Sequence, residues 1–79
     1  MTKTKNLQDA FLATAARTHA SVTVFLMNGY QLRGRIHSFD PFAVELYTED
    51  KQQIIYKHAI STIIPEKAIH WEEDPVKVV

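Results

Sequence analysis

The sequence of 79 residues contains no cysteine, two glycines, three prolines and no long apolar run. The lack of cysteine excludes a disulfide framework and a thiolate metal site, and it fits a reducing cytosol. The lysines near the N-terminus are not followed by the apolar segment of a signal peptide. No stretch approaches the roughly 18 apolar residues of a membrane helix. We therefore expect a cytoplasmic protein that does not contact a membrane.

The chain is also short, which limits how it gains stability. At this length we expect one domain at most, and its hydrophobic core alone provides little stability beyond what folding requires. Disulfides are excluded, and the four histidines lack the spacing of a metal site. Self-association is therefore the expected source of extra stability, and we expect no cofactor.

The sequence has no net charge, because nine Lys and Arg residues balance nine Asp and Glu residues. A simple basic nucleic-acid binder would be more positive. The balance is uneven, since residues 66–79 hold four acidic and two basic residues, a net of −2, which leaves +2 on residues 1–65. We divide the chain into a flexible N-terminal segment (1–5), a folded domain (6–65) and an acidic tail (66–79), in which Trp71 has no assigned position.

One helix is indicated near the N-terminus. Asn6 is a suitable N-cap, and Asp9 in the first turn interacts favourably with the positive end of the helix dipole. Apolar residues then recur at helical spacing, which predicts a helix from about Leu7 to about Thr18. No glycine marks the end of this helix, so we expect the β-rich sequence that begins at Ser21 to stop it.

From Ser21 the apolar period changes to two, which is typical of β-strands. Asn28-Gly29 predicts a tight hairpin turn in which both residues adopt positive φ. Gly34 in the middle of the second strand predicts a sharp bend or the close approach of another backbone. The predicted strands are about 21–27, about 30–39, a third with Phe42, Val44 and Leu46 on its inner face, 52–56 and about 60–64.

This order of elements predicts a mainly β fold in which the helix covers one open end of a small, five-stranded, strongly bent antiparallel barrel of the SH3-like type. Strands four and five would be its edges. The apolar run Gln53-Ile54-Ile55 in an edge strand invites pairing with another chain. If strand four pairs with strand five of the next copy, this head-to-tail contact closes into a ring when the rotation fits.

The pair Lys57-His58, between strands four and five, is the first candidate for function. Loops at strand ends present side chains from a rigid scaffold. Lys57 supplies a cation, and His58 supplies an imidazole that donates, accepts and stacks, which suits a ligand with phosphates and flat bases. The alternative is a solvated turn. Arg33 and Arg35, on one side of strand two, either bind phosphates or keep an exposed face soluble.

Five segments share a pattern with one protein family. They are Asn6-Leu7-Gln8-Asp9 at the helix start, Val24-Phe25-Leu26-Met27-Asn28-Gly29 at the hairpin, Gly34, Ser38-Phe39-Asp40, and Tyr56-Lys57-His58-Ala59-Ile60-Ser61-Thr62. In these segments, within about residues 6–65, the chain resembles the Hfq family of bacterial Sm-like RNA chaperones. The Tyr-Lys-His motif is the most specific of them. The resemblance implies an Sm-like barrel, a homohexameric ring with a central pore, and a role in small-RNA and mRNA regulation, including stress responses.

The resemblance implies a first site, for U-rich RNA, at the pore on the helix-bearing, proximal face. Its matching residues are Gln8, Phe42, Tyr56, Lys57 and His58. Phe42 would stack on uracil, and such stacking contributes about 1–3 kcal/mol with any base, so selectivity requires hydrogen bonds to the base edge. Pro41 stands where the family often has Gln, which predicts a less selective site. The alternative, from its alternation with Val44 and Leu46, is that Phe42 is a core residue.

The resemblance implies a second site, for A-rich RNA, on the opposite, distal face. The matching residues are Phe25, Leu26, Gly29, Tyr30, Gln31, Leu32, Gln53, Ser61 and Thr62. Phe25 and Tyr30 would sandwich adenines between subunits, and Gln53 would read an adenine edge. Aromatic residues at both positions resemble the family in Gram-positive bacteria, which favours a two-nucleotide repeat. The alternative is that both are ordinary aromatic residues of a sheet surface.

The third surface implied by the resemblance is the rim, near the helix end. Family members with strong annealing activity carry an arginine cluster there, whereas this chain offers only Arg17 and His19. We therefore expect RNA binding with weak rim-driven annealing. The acidic run at 72–74 either competes with RNA for basic surface or is a solvated tail.

Two other classes of function compete with RNA binding. An enzyme is not expected, because the sequence has no paired-carboxylate spacing, no nucleophile elbow and no phosphate-binding loop. The remaining alternative is an SH3-like protein-interaction module that binds Pro-rich peptides through an aromatic groove, as a monomer and without an RNA function.

Overall fold

The structure is a computed structural model that describes residues 6–70. The predicted N-terminal segment, Trp71 and the acidic run at 72–74 lie outside the described residues. One helix is followed by five strands, and a single 3₁₀ turn precedes the last strand. The elements are α1 (Leu7–Thr18), β1 (Ser21–Leu26), β2 (Gln31–Phe39), β3 (Ala43–Thr48), β4 (Lys51–Tyr56), the 3₁₀ turn (Lys57–Ala59) and β5 (Ile60–Pro65).

The helix has the predicted bounds, and both of its ends are capped. Asn6 accepts a hydrogen bond from the Asp9 N–H at 2.7 Å, as its N-cap role predicts. At the other end His19 adopts the left-handed conformation (φ 51°), and its N–H donates to the carbonyl of Ala16 at 3.2 Å. The expectation that only the following β-rich sequence stops the helix is therefore wrong. A non-glycine residue closes it with a left-handed cap.

The five strands form one antiparallel sheet in the order β4-β3-β2-β1-β5. This order confirms that β4 and β5 are its edges. The nine-residue β2 joins the two halves, and its register with β3 shifts between Ile36 and Ser38. The close approach predicted at Gly34 is also present, because a Cβ there would overlap the carbonyl oxygen of Tyr47 and lie 2.8 Å from Cγ2 of Thr48.

The hairpin turn between β1 and β2 differs from the prediction. Gly29 has positive φ (95°), but Asn28 does not. The Gly29 N–H donates to the Leu26 carbonyl at 2.9 Å, and the Leu26 N–H donates to the Tyr30 carbonyl at 2.8 Å. The loop therefore has three residues, of which only the last needs positive φ. Asn28 instead accepts a hydrogen bond from the Tyr30 N–H through its side chain at 3.0 Å.

The core lies between α1 and the concave face of the sheet. Its buried apolar residues are Leu12, Ala15, Val22, Val24, Ile36, Val44, Leu46 and Ile55. Val44 and Leu46 thus form the predicted inner face of β3. Phe42 does not, because it precedes the strand and is 75% exposed. Alternation fails at Phe42 because the preceding turn binds its backbone N–H and keeps it outside the sheet.

The first residues of the predicted acidic tail follow the surface of the domain. The Glu66 N–H donates to the Ser21 carbonyl at 2.9 Å, and the half-buried Ile69 packs against the core. The division of the chain at residue 65 stays a prediction.

The structure also bears on membrane crossing. Among residues 6–70, α1 has 12 residues, and no helix there is both long enough and apolar enough to cross a membrane.

Candidate functional site

The junction between β4 and β5 carries the first candidate surface. The 3₁₀ turn that begins at Lys57 is fixed to the turn before β3, because the Lys57 N–H donates to the Phe42 carbonyl at 2.8 Å. This bond brings together two segments 15 positions apart in the sequence. The five residues assigned to the U-rich site from the resemblance are here named the Lys57 cluster: Gln8, Phe42, Tyr56, Lys57 and His58.

Lys57 is partly enclosed, with 14% of its side chain exposed. Its Nζ lies 4.0 Å from Oδ1 of Asp9 and 5.3 Å from the centroid of the Phe39 ring. A carboxylate and an aromatic face therefore restrict the position of the ammonium group. A freely solvated side chain has no such contacts. The solvated-turn alternative does not describe Lys57, although His58 beside it is exposed.

The loop before β3 presents Phe42, the residue whose carbonyl accepts the hydrogen bond from the Lys57 N–H. Asp40 accepts hydrogen bonds from the backbone N–H groups of Phe42 and Ala43, both at 2.8 Å. These two bonds lower the pKa of the Asp40 carboxyl below its usual value, and Lys57 contributes a smaller lowering. The ionised carboxylate thus organises the loop, so that the exposed Phe42 ring is presented by a backbone with few alternative conformations.

The other members of the Lys57 cluster lie around the same junction. Gln8 and Lys57 line one concavity of about 390 Å³ between α1 and β5. Tyr56, at the end of edge strand β4, is 58% exposed, and its ring is nearly parallel to that of His58, with centroids 6.0 Å apart. The structure therefore brings together a cation, an exposed aromatic face, an amide and an imidazole.

Sequence reasoning missed three residues that shape this cluster. Asp9 was given a role only at the helix dipole, and Phe39 and Asp40 were noted only as part of the pattern shared with the family. Asp followed by Pro is a signal for a side chain that binds the backbone of a turn, so the role of Asp40 was accessible in principle. No local pattern indicates that Phe39 and Asp9 lie beside Lys57, because those contacts depend on the folded topology.

The second candidate surface surrounds the β1–β2 hairpin and is here named the hairpin face. Its predicted residues are Phe25, Leu26, Gly29, Tyr30, Gln31, Leu32, Gln53, Ser61 and Thr62. Gln31, Phe25 and Thr62 are direct cross-strand neighbours in one row of the sheet. Tyr30 is 69% exposed at the turn, whereas Phe25 is half-buried. Two aromatic residues therefore lie on either side of the turn.

One predicted member of the hairpin face, Gln53, is not brought there by the strand pairing of its own chain. Gln53 is on β4, at the opposite edge of the sheet from β5, and its amide donates to Oγ1 of Thr48 at 3.0 Å. Ser61 and Thr62 border the concavity beside Lys57 as well as the hairpin face. Within one chain, the pairing therefore assembles the face from β1, β2 and β5.

The rim residues lie at the end of α1. Arg17 is exposed in the last turn, and His19 is the exposed C-cap. The His19 ring lies 4.5 Å from that of His37, centroid to centroid, with the ring planes tilted by 47°. Ala16 is half-buried and packs against the core. Among residues 6–70, no group of three or more His, Cys, Asp and Glu side chains has the arrangement of a metal site.

A single helix on a bent five-stranded sheet, with open edges and a cation–aromatic cluster between them, defines an Sm-like barrel protein. Comparison with known proteins leads to the same result. The family model described as "Hfq protein" matches residues 7–70. Together with the relatives described below, this match shows that the chain belongs to the Hfq family, which confirms the resemblance noted in the sequence.

The relatives are similar over nearly their whole length. The protein named "RNA-binding protein Hfq" from Geobacillus kaustophilus (strain HTA426) is 54% identical over 74 residues, which cover 94% of this chain and 99% of the relative. The protein of the same name from Bacillus subtilis (strain 168) is 54% identical over 67 residues, 85% of this chain and 92% of the relative. A crystal structure of "the pleiotropic translational regulator, Hfq" matches with a TM-score of 0.73 and 44% identity, over 75% of this chain and 98% of that one.

The family assignment also settles two predictions from the sequence. The curated relatives carry the name of an RNA-binding protein and not of an enzyme, which confirms that the chain is not an enzyme. The fold class, one N-terminal helix followed by five antiparallel strands in a bent sheet, is confirmed as well.

Proposed function

We propose that this protein is a cytoplasmic RNA chaperone that binds U-rich RNA at the Lys57 cluster and A-rich RNA on the hairpin face. In this role it supports regulation of mRNA by small RNA after transcription, including in stress responses. The observation that carries the proposal is the 75% exposed ring of Phe42, whose backbone carbonyl is bound to the Lys57 N–H, within a member of the Hfq family. The relatives named as RNA-binding proteins, and the one named as a translational regulator, support it.

The chemistry of the Lys57 cluster suits a uridine-rich strand. An exposed aromatic ring binds a base by stacking, and the half-buried ammonium group attracts a phosphate or a base carbonyl. Gln8 and His58 add donors and acceptors that reach a base edge. Pro41 contributes no side-chain donor, so we propose that this site prefers uracil less strongly than a site with Gln at that position.

The hairpin face suits stacked purines. The exposed Tyr30 ring and the half-buried Phe25 ring offer flat surfaces, and Gln31 lies in the same row of the sheet as Phe25. Gln53 reaches this face only if a neighbouring chain contributes it, since its own strand is the opposite edge of the sheet. The aromatic pair supports a two-nucleotide repeat along the RNA.

This requirement for a neighbour supports a ring of copies, and we propose the homohexamer that the resemblance to the family implies. The edge strands β4 and β5 carry exposed apolar residues, with Ile54 at 56% and Ile64 at 50% exposed. Pairing β4 of one copy with β5 of the next covers both edges and places the Lys57 clusters around a common pore. Native mass spectrometry of the full chain tests this part of the proposal, and any count other than six contradicts it.

The function is tested by fluorescence anisotropy of labelled oligo-U and oligo-A at two salt concentrations, because affinity for nucleic acid depends strongly on salt. Phe42→Ala removes the stacking ring of the Lys57 cluster and Tyr30→Ala that of the hairpin face. Each substitution should weaken the binding of one oligonucleotide roughly 5- to 150-fold and leave the binding of the other unchanged, which corresponds to the 1–3 kcal/mol of one stacked base.

Competition separates the two sites. If unlabelled oligo-U leaves labelled oligo-A bound, the two RNAs occupy different faces, as proposed. If only oligo-U binds, the assignment of the hairpin face is wrong. If neither binds, the protein has no RNA function of this kind, and an SH3-like protein-interaction module takes its place.

A further inference from the structure

The turn between β1 and β2 contains a dipeptide, Asn28-Gly29, whose covalent chemistry plays no part in the proposed function. The sequence contains one other asparagine, Asn6, which is followed by Leu7. Asparagine is one of the residues that change chemically with age and heat. The two asparagines of this chain differ in the residue that follows them, and the reaction takes place between the asparagine and that residue.

The reaction joins the asparagine side chain to its own backbone. The backbone nitrogen of the next residue loses its proton and attacks Cγ of the side-chain amide. The new C–N bond closes a succinimide ring, and the side-chain nitrogen takes up a proton and leaves as ammonia. Water then opens the ring at either of its carbonyl carbons and yields aspartate or isoaspartate. The net reaction consumes water, releases ammonia and replaces a neutral amide with a carboxylate.

The surroundings of the turn leave the reacting groups accessible. Asn28 and Gly29 are both exposed, so water and hydroxide reach them. No heavy atom lies within 4 Å of the position that a Cβ on Gly29 would occupy, so nothing shields the attacking nitrogen from that side. At Asn6 the next residue carries a branched side chain, and the carboxamide is held by the Asp9 N–H at 2.7 Å.

The carboxamide of Asn28 is directed at the backbone with which it would react. Its Oδ1 accepts a hydrogen bond from the Tyr30 N–H at 3.0 Å. Because Tyr30 directly follows Gly29, this bond folds the side chain back over the Gly29 peptide unit and shortens the conformational search before ring closure. The same N–H donates to the oxygen that gains negative charge when the nitrogen attacks Cγ.

The turn opposes the reaction through the Gly29 N–H, the group that must lose its proton. This N–H donates to the Leu26 carbonyl at 2.9 Å, and the Met27 N–H donates to the Ala59 carbonyl at 2.8 Å. The first bond must break before the nitrogen attacks, and the second holds the start of the loop against the 3₁₀ turn. Water can replace the Tyr30 donor, but no ring closes while the Gly29 nitrogen is held. The reaction in the folded protein therefore waits for the turn to open.

The product changes the hairpin face in two ways. Aspartate places a negative charge two residues from the exposed ring of Tyr30, where it repels the phosphates of an RNA strand. Isoaspartate also routes the main chain through the former side-chain carbon, which lengthens the three-residue loop by one atom. The bonds between Leu26 and Tyr30 close this loop next to the pairing of Phe25 with Gln31, so the longer loop disturbs that row of the sheet.

We propose that Asn28 is a site of spontaneous deamidation, that the hydrogen bond from Gly29 to Leu26 limits its rate in the folded protein, and that the carboxylate formed weakens the binding of A-rich RNA. The last step rests on RNA binding by the hairpin face, whereas the first two steps do not. The protein thus loses one of its two proposed RNA sites as it ages.

Peptide mapping by mass spectrometry follows the reaction in the full chain at about pH 8 and about 37 °C, with Asn6 as the internal control. Carboxylate should accumulate at Asn28 and not at Asn6. In guanidinium chloride Asn28 should react roughly twofold to tenfold faster, because the hydrogen bond of Gly29 is then lost. Gly29→Ala should slow the reaction about tenfold or more in both conditions, since the added methyl group hinders the attacking nitrogen whether or not the chain is folded.

Anisotropy of labelled oligo-A compares fresh protein with aged protein. The aged protein should bind about threefold to fivefold more weakly at low salt, and Asn28→Asp should reproduce the part of this loss that comes from charge. Asn28→Gln is the matched control, because its longer side chain closes the corresponding ring much more slowly, and its affinity should not fall on ageing. Oligo-U should bind fresh and aged protein equally. Circular dichroism checks that each sample is folded.

The outcomes separate this proposal from the function on which it rests. If Asn28 gains carboxylate no faster than Asn6, the modification site is wrong and the RNA function is unaffected. If the folded protein reacts as fast as the protein in guanidinium chloride, the turn does not limit the rate. If fresh and aged protein bind oligo-A equally well, the proposed consequence is wrong. If Asn28 deamidates but fresh protein does not bind oligo-A, the RNA function of the hairpin face is wrong and the modification site stands.

Discussion

The Lys57 cluster and the hairpin face are built in different ways. Around Lys57, three segments distant in sequence are joined by one backbone hydrogen bond, an ion pair and a cation–π contact. The hairpin face consists of neighbouring residues of adjacent strands, and its position depends on one tight turn. Cluster side chains are therefore coupled to contacts among three distant segments, whereas the β1–β2 part of the hairpin face depends mostly on local geometry.

This difference has a consequence for how each surface responds to change. A substitution in the Lys57 cluster alters contacts with α1, with the loop before β3 and with β4 at once. On the hairpin face, a surface substitution alters only its own contacts with a ligand, unless it changes the turn. The predictions below test this contrast, from the largest expected effect to the smallest.

Replacing Lys57 with methionine should produce the largest change. Oligo-U should bind roughly tenfold to a hundredfold more weakly, because a hydrogen bond to a charged group contributes about 1.5–3 kcal/mol. Oligo-A should bind as before. Anisotropy measures both, and Lys51→Met, which removes an exposed lysine outside both surfaces, is the control. Equal losses for the two oligonucleotides would mean that Lys57 supports the fold rather than one site.

Replacing Gly29 with alanine is the corresponding test of the hairpin face. No heavy atom lies within 4 Å of an added Cβ, so the cost comes only from the positive φ of 95°. The free energy of unfolding should fall by about 1 kcal/mol, as measured by chemical denaturation. Oligo-A should bind Gly29→Ala more weakly than the parent, whereas oligo-U should bind both equally. Gly29→Asn, which tolerates positive φ better, should retain more stability, and an equal loss in both variants would contradict this explanation.

The same contrast explains which features were predictable from the sequence. The bounds of α1 and the pairing of β1 with β2 follow from local periodicity and from Asn28-Gly29, and the structure confirms them. The type of turn was predicted wrongly, because it depends on whether the loop contains two or three residues, and the sequence pattern is compatible with both. Similarly, the left-handed cap at His19 lacks the glycine that commonly signals it.

The environment of the Lys57 cluster was largely beyond sequence reasoning. Phe42 was expected on the inner face of β3 because it alternates with Val44, yet it lies outside the strand. The deciding contact is the carboxylate of Asp40, which binds two successive backbone N–H groups and terminates the alternation. Lys57 was identified correctly as a candidate, but its enclosure by Asp9 and Phe39 results from contacts over long sequence separations.

Acidification should affect the loop that presents Phe42. The pKa of Asp40 is lowered in the folded protein relative to its usual value of 3.8, so its ionised form stabilises the fold above that pH. This contribution disappears as the pH falls through the lowered pKa. The melting temperature of the parent should therefore decrease below about pH 4, and that of Asp40→Asn should decrease less.

Thermal melts at a series of pH values measure this difference. The control is Asp50→Asn, which removes an exposed carboxyl from the connection between β3 and β4. The pKa of Glu45 is lowered as well, by its hydrogen bonds with Ser38 and Gln52, so some acid sensitivity should remain in the Asp40 variant. If the Asp40 variant loses as much stability as the parent on acidification, the loop is held by other contacts and the contrast between the two surfaces weakens.

The smallest expected effect concerns the rim, which belongs to neither surface. Replacing Ala16 with arginine adds a cation beside Arg17, and the rate at which the protein anneals complementary RNA strands should rise roughly threefold through electrostatic attraction. Ala16 is half-buried, but the long arginine stem can follow the helix surface while its charged end reaches water. Ala16→Gln is the neutral control and should leave the rate unchanged. Stopped-flow fluorescence of two labelled strands measures the rate, and an unchanged rate in the arginine variant would show that the scarcity of rim arginines does not limit annealing in this protein.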